Sequence, residues 1–88
     1  MRITVEISLY PLRDDFVPAI RSFIAELRAQ PGLELLTNQM STQLRGEAGA
    51  VMAALQVAMT AAWARGGSQV FVTKFLNADL PIASKPAV

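Results

Sequence analysis

The sequence predicts an α+β ferredoxin-like sandwich with elements in the order β-α-β-β-α-β. Three observations predict it. The chain opens with strictly alternating apolar residues. Two stretches of helical apolar periodicity follow at separate places. The two strands between those stretches have almost no spacer, so they form a hairpin. The expected product is a four-stranded antiparallel sheet with two helices on one face and the first and third strands central.

Each element has a local reason. Over Arg2–Tyr10, Ile3, Val5, Ile7 and Leu9 face one way, and Thr4, Glu6, Ser8 and Tyr10 face the other. That period of two is a strand with one core face. Pro11 ends it. Asp14 and Asp15 offer an N-cap and a favourable charge for a following helix, and Pro18 is tolerated in its first turn. Phe16, Ile20, Phe23, Ile24 and Leu27 form its apolar stripe, and Pro31-Gly32 stops it. Strands are expected over Leu33–Asn38 and Met40–Glu47. Gly46 and Gly49 then bracket the start of a second helix over Ala48–Ala64. Its inner stripe is Val51, Leu55, Met59 or Ala58, and Ala62, and most of its remaining surface is alanine. A helix apolar all round is buried on more than one side. Arg65-Gly66-Gly67 ends it, and Val70–Leu76 is the last strand. Phe71, Thr73 and Phe75 are expected on the open sheet face beside Tyr10, with Val70, Val72 and Leu76 toward the helices. The domain is expected to span residues 1–80, with 81–88 a tail.

Composition narrows the function. The chain has 88 residues, 52% hydrophobic and 17% charged, too apolar for one small domain to conceal. The longest apolar stretch, Ala48–Ala64, is rich in alanine and interrupted by Gly49, Gln56 and Thr60. It is too short and too weak to span a bilayer. Glu6 interrupts the alternating start, which does not read as a signal segment. The expectation is a cytoplasmic protein that self-associates through its open sheet face. A net charge of +1 with scattered arginines argues against nucleic acid. The chain contains no Cys and no His. That removes the thiol nucleophile, the commonest general base and the commonest metal ligands. Asp14 and Asp15 are capping material first, and Lys74 has no visible partner base. No metal-ligand spacing and no glycine-rich phosphate loop is present. The expectation is therefore a protein that is not an enzyme and carries no cofactor.

The hairpin turn stands out. Thr37-Asn38-Gln39-Met40-Ser41-Thr42 contains no Gly or Pro and carries hydroxyls and amides where turn residues are expected. Such groups suit a neutral, hydrogen-bonding heterocycle. They equally suit a turn that satisfies its own backbone.

Two paired motifs then carry a resemblance. Val5-Glu6-Ile7-Ser8-Leu9-Tyr10-Pro11-Leu12, and Thr37-Asn38 with Met40-Ser41-Thr42 at matching separation, resemble the YkoF-like hydroxymethylpyrimidine/thiamine-binding domains. Pro31-Gly32-Leu33-Glu34, Gly46 before an alanine-rich helix with Val51-Met52, and Lys74-Phe75-Leu76-Asn77 are similar too. The likeness covers about residues 1–80. Arg45 and Ala48-Gly49 depart from the pattern. The resemblance implies a ferredoxin-like fold, assembly into dimers or tetramers through sheet faces, and binding of thiamine or its pyrimidine moiety in support of uptake or salvage. It does not imply catalysis.

For such a ligand the chemistry nominates eight residues. Asn38 supplies a donor and an acceptor; Ser41 and Thr42 supply hydroxyls; Thr37 supplies a third contact or caps the hairpin; Met40 is a polarizable wall. Glu6 either meets the ligand or forms an ion pair with an arginine or Lys74. Tyr10 either stacks on the pyrimidine or packs at an interface, and Ser8 is either a contact or merely small. Trp63 reads as core or interface. The competing readings are a regulatory module of this fold binding another small metabolite, an oligomerisation module with a vestigial pocket, and, least supported, a small cofactor-free monooxygenase.

Overall fold

The computed structural model describes residues 1–88. Its elements are β1 (Arg2–Pro11), α1 (Val17–Arg28), β2 (Glu34–Thr37), β3 (Thr42–Glu47), α2 (Ala48–Ala64) and β4 (Gln69–Leu76). The strands form one sheet in the order β2-β3-β1-β4, with every neighbouring pair antiparallel. This is the expected ferredoxin-like sandwich, with β1 and β3 central. No helix is long and apolar enough to cross a membrane.

The core lies between the sheet and the helices. Ile3, Val5, Ile7 and Leu9 of β1 and Leu44 of β3 meet Phe23 and Leu27 of α1 and Val51, Leu55, Ala58 and Ala62 of α2. The alternation in β1 and the α2 stripe land where the sequence puts them. Met59 packs at the core margin while Ala58 is fully buried. The outer face of α2 is open in the single chain, with Met52 and Val57 about half exposed.

Three expectations are corrected. Asp14 and Asp15 do not cap α1. The helix begins at Val17, Phe16 occupies the cap position, and no side chain bonds the first turn. Pro18 explains the start, since its fixed φ favours the first helical positions and leaves both aspartates upstream. The hairpin strands are shorter than expected because Asn38–Ser41 are turn rather than ladder.

The third correction is the phase of β4. Leu9 pairs with Phe71, Ile7 with Thr73 and Val5 with Phe75, so these three residues of β4 share the helix face. Val70, Val72, Lys74 and Leu76 lie on the open face beside Tyr10, Ser8, Glu6 and Thr4. Phe71 sits against Phe23, with ring centroids 4.9 Å apart, and meets Trp63 edge-on at 5.3 Å. Burying that aromatic area outweighs burying a valine at the same position.

Beyond β4 the chain crosses the open face. Thr4 is 7% exposed although it points away from the helices. Its hydroxyl donates to the Ala78 carbonyl at 2.7 Å and accepts the Leu80 N–H at 2.9 Å. Arg2 pairs with Asp79 at 2.8 Å, and Arg45 donates to the Leu80 carbonyl at 2.6 Å.

Candidate functional site

β1 is longer than the hairpin that flanks it. Its pairing with β3 ends at Ile7↔Thr42, whereas its pairing with β4 continues to Pro11↔Gln69. The missing length of hairpin leaves a notch beside the second half of β1, and the start of α1 walls the notch on the helix side. The result is a cleft of about 460 Å³, within the range of small-molecule sites. β1 and the residues after it contribute Ile7 to Leu12, α1 contributes Phe16, Ile20, Phe23 and Ile24, and the hairpin contributes Thr37 to Thr42.

The hairpin shapes this opening through Asn38. The Asn38 N–H donates to the Ser41 carbonyl at 3.0 Å, closing the turn. The Asn38 Oδ1 accepts the N–H groups of Met40 at 2.9 Å and Ser41 at 3.1 Å. This is an Asx turn, in which a side-chain oxygen replaces a backbone carbonyl. Its acceptor is therefore spent on the turn, and only the amide NH₂ remains for a ligand. Thr37 and Thr42 face the helices and share a hydroxyl bond at 3.0 Å. Met40 is 85% exposed on the rim, a large apolar side chain held in water. Tyr10 and Phe16 are half-exposed on the other sides of the opening.

Of the eight nominated residues, Ser8, Tyr10, Thr37, Asn38, Met40, Ser41 and Thr42 line the cleft. Glu6 does not. It sits on the open face in a separate depression with Thr4, Gln43 and Lys74. There its carboxylate accepts the Ser41 hydroxyl at 2.9 Å and pairs with Lys74 at 3.3 Å within the same chain. The Ser41 bond first, and Lys74 second, hold its pKa below the ordinary carboxylate value. Sequence reasoning missed the α1 wall. Phe16, Ile20, Phe23 and Ile24 read there as part of one core stripe, and only the truncated hairpin turns part of that stripe into a cleft wall. The exposure of Phe16 is the signal that separates it from the core residues.

The cleft therefore combines apolar and aromatic walls with a rim of hydroxyls and amides, and its lining contains no Asp, Glu, Lys or Arg. It suits a flat neutral ring with a polar edge.

Comparison with known proteins agrees with the architecture. The family model described as YKOF-related Family matches residues 2–81. A comparison with curated proteins gives no match. Among solved structures, a Streptococcus pneumoniae protein superposes with TM-score 0.81 at 21% identity, covering 94% of this chain and 92% of that one. A hypothetical protein from Methanocaldococcus jannascii superposes at 0.77 and 20% identity, covering 89% and 81%. A candidate thiamine biosynthesis/salvage protein from Thermotoga maritima superposes at 0.67 and 16% identity, covering 99% and 91%. At such identities these likenesses establish the fold.

Proposed function

The chain belongs to the YKOF-related Family, and from that premise we propose that it binds thiamine, or the hydroxymethylpyrimidine moiety of thiamine, in the cleft beside β1 without catalysing a reaction. The observation that carries this reading is the cleft itself. It opens where the two sequence motifs converge, Ser8 to Leu12 on one side and Thr37 to Thr42 on the other. The Thermotoga neighbour, described in terms of thiamine biosynthesis or salvage, supports the same ligand class.

The chemistry is consistent with the pyrimidine end as the anchored part. The Asn38 NH₂ can donate to a ring nitrogen, the Ser41 Oγ, whose proton goes to Glu6, can accept from an amino group, and the bonded Thr37–Thr42 hydroxyl pair can supply one further donor and acceptor lone pairs. Phe16, Tyr10 and Met40 offer ring faces and a thioether to the aromatic plane. With no carboxylate in the lining, the cationic thiazolium extends toward solvent, on the side where Ser41 leads to Glu6. The role we assign is carriage or buffering of the ligand in support of its uptake or salvage. Assembly through the open sheet face belongs to the same proposal, carried by Tyr10, Val70 and Val72 in place of the expected phenylalanines.

Isothermal titration with thiamine and with hydroxymethylpyrimidine tests the reading. Saturable binding is expected. Phe16→Ala, which removes a wall without touching the sheet, should weaken it by roughly threefold to tenfold, the worth of one aromatic contact. Absence of heat at millimolar concentrations of both compounds would sink the assignment.

A further inference from the structure

The register of the sheet decides which main-chain groups of β1 face the cleft. In an antiparallel ladder a residue directs its N–H and its C=O to the same side, and successive residues alternate. Two bonds fix the phase. The Ala48 N–H donates to the Met1 carbonyl at 2.9 Å, and the Leu12 N–H donates to the Ser68 carbonyl at 3.0 Å. Odd-numbered residues of β1 therefore point toward β3 and even-numbered residues toward β4. Ile7 is the last odd-numbered residue with a partner, Thr42. The next is Leu9, which an uninterrupted ladder would pair with Met40. That pairing is absent: Met40 lies in the turn closed by the Asn38 N–H on the Ser41 carbonyl, and its own N–H donates to Asn38 Oδ1. The Leu9 N–H and C=O are left facing the cleft, in the middle of a strand, with no partner strand. The Leu9 side chain is buried in the core, so the main chain is the polar part of this residue that the cleft receives.

The geometry points to the Leu9 main chain as a specificity-determining contact that reads an aminopyrimidine edge. One residue of an extended strand presents a donor and an acceptor side by side in one plane. A ring nitrogen beside an exocyclic amino group presents the complementary pair: the Leu9 N–H donates to the ring nitrogen, and the Leu9 carbonyl accepts from the amino group. A ligand lacking the amino group leaves that carbonyl unmet once water is displaced, and such omissions are costly. Asn38 acts one step back. By taking the Met40 N–H it keeps the hairpin from completing the ladder, and so keeps Leu9 free. The inference rests on the cleft being the ligand site, and it adds a determinant that side-chain substitution cannot reveal.

Amide exchange followed by nitrogen-15 NMR on the intact chain tests it. In the free protein the Leu9 amide should exchange much faster than those of Ile7, Ser8 and Tyr10, which are held by β3 or β4. Saturation with thiamine should slow the Leu9 amide at least tenfold and shift its resonance. The same pyrimidine without its amino group should bind at least tenfold more weakly. A Leu9 amide as protected as its neighbours in the free protein would overturn the inference. So would thiamine that saturates the protein while the Leu9 amide stays unchanged, and in that case the binding reading survives. Failure of both thiamine and hydroxymethylpyrimidine to bind would overturn the two together.

Discussion

At the residue scale, Asn38 and Glu6 show how polar side chains build a site without necessarily touching its ligand. Asn38 Oδ1 satisfies two turn N–H groups, a task that a carboxylate performs equally well. Asn38→Asp should therefore leave the melting temperature nearly unchanged, whereas Asn38→Ala should cost about 1 kcal/mol, as loss of a comparable capping side chain does. Thermal denaturation of the two variants checks this. Titration with thiamine then separates the roles of the side chain. If Asn38→Asp binds as well as the parent, the amide NH₂ makes no essential contact; a large loss assigns one to it. Glu6 gives a pH prediction. Its folded-state pKa is depressed by Ser41 and Lys74, so the ionised form is favoured by folding. The resulting stability is present above the usual carboxylate pKa and is lost as pH falls through the depressed folded value. Glu6→Gln should lower the melting temperature at neutral pH, and the gap from the parent should close on acidification below the ordinary carboxylate range. A gap independent of pH would show that packing rather than charge ties Glu6 to the hairpin. The effect is small in either case, because the pair is partly exposed.

At the scale of elements, the order, type and core faces of most elements were legible because their periodicity has one solution. β1 alternates between branched apolar residues and polar ones, and α2 is bounded by Glu47 and Arg65, with Val51, Leu55 and Ala62 at helical spacing within an otherwise alanine-rich surface. β4 was legible as a strand but not in phase. Val70-Phe71-Val72-Thr73-Lys74-Phe75-Leu76 carries apolar residues on both faces, so period two cannot choose between them. The missing signal was Lys74, which belongs opposite Glu6. Phe71→Ala should accordingly behave as a core substitution and cost about 2–4 kcal/mol, at or slightly below the usual range for a buried phenylalanine. Phe75→Ala, with its ring about half exposed, should cost clearly less. Chemical denaturation of both variants checks the order, and the reverse order would contradict the register. The cleft was only half legible. Its hairpin and strand residues could be named from their chemistry, but the α1 wall depends on where the ladder stops, which is set by the turn that Asn38 closes with Met40 and Ser41. Gly46 carries a similar hidden constraint. A Cβ there would stand 2.8 Å from the Gly32 carbonyl oxygen and 3.2 Å from a Leu33 methyl carbon. Because the first contact is backbone, Gly46→Ala should destabilise by about 1–3 kcal/mol, the range for overpacking.

At the scale of the molecule, the apolar content and the burial do not balance within one chain. The sequence is 52% hydrophobic, yet only 16 of 88 residues are buried. Apart from the cleft rim at Phe16 and Met40, two surfaces hold much of the excess. One is the outer side of α2 around Met52 and Val57. The other is the part of the open sheet face not crossed by the tail, where Tyr10, Val70 and Val72 are each about half exposed and lie on paired positions of β1 and β4. On the sheet face these residues are neighbours across paired strands, and the tail anchored on Thr4 confines them to the end of the sheet nearest the cleft. That adjacency makes it the surface on which the proposed self-association is to be tested first. Val72→Glu places a charge at its centre without disturbing the core, whereas Met52→Glu does the same on α2. Sedimentation across a dilution series should show Val72→Glu shifted toward monomer and Met52→Glu unchanged; the opposite pattern would move the interface to the helix layer. The same variants bear on the site. Within the single chain the cleft draws its lining from β1, α1 and the hairpin, with Phe16, Ile20, Phe23 and Ile24 on the helix side of the sheet. A monomeric Val72→Glu protein should therefore still bind thiamine within about threefold of the parent, roughly the worth of a small perturbation of the Tyr10 rim. Binding lost together with assembly would mean that a second copy completes the pocket over Tyr10 and that the functional unit is the oligomer.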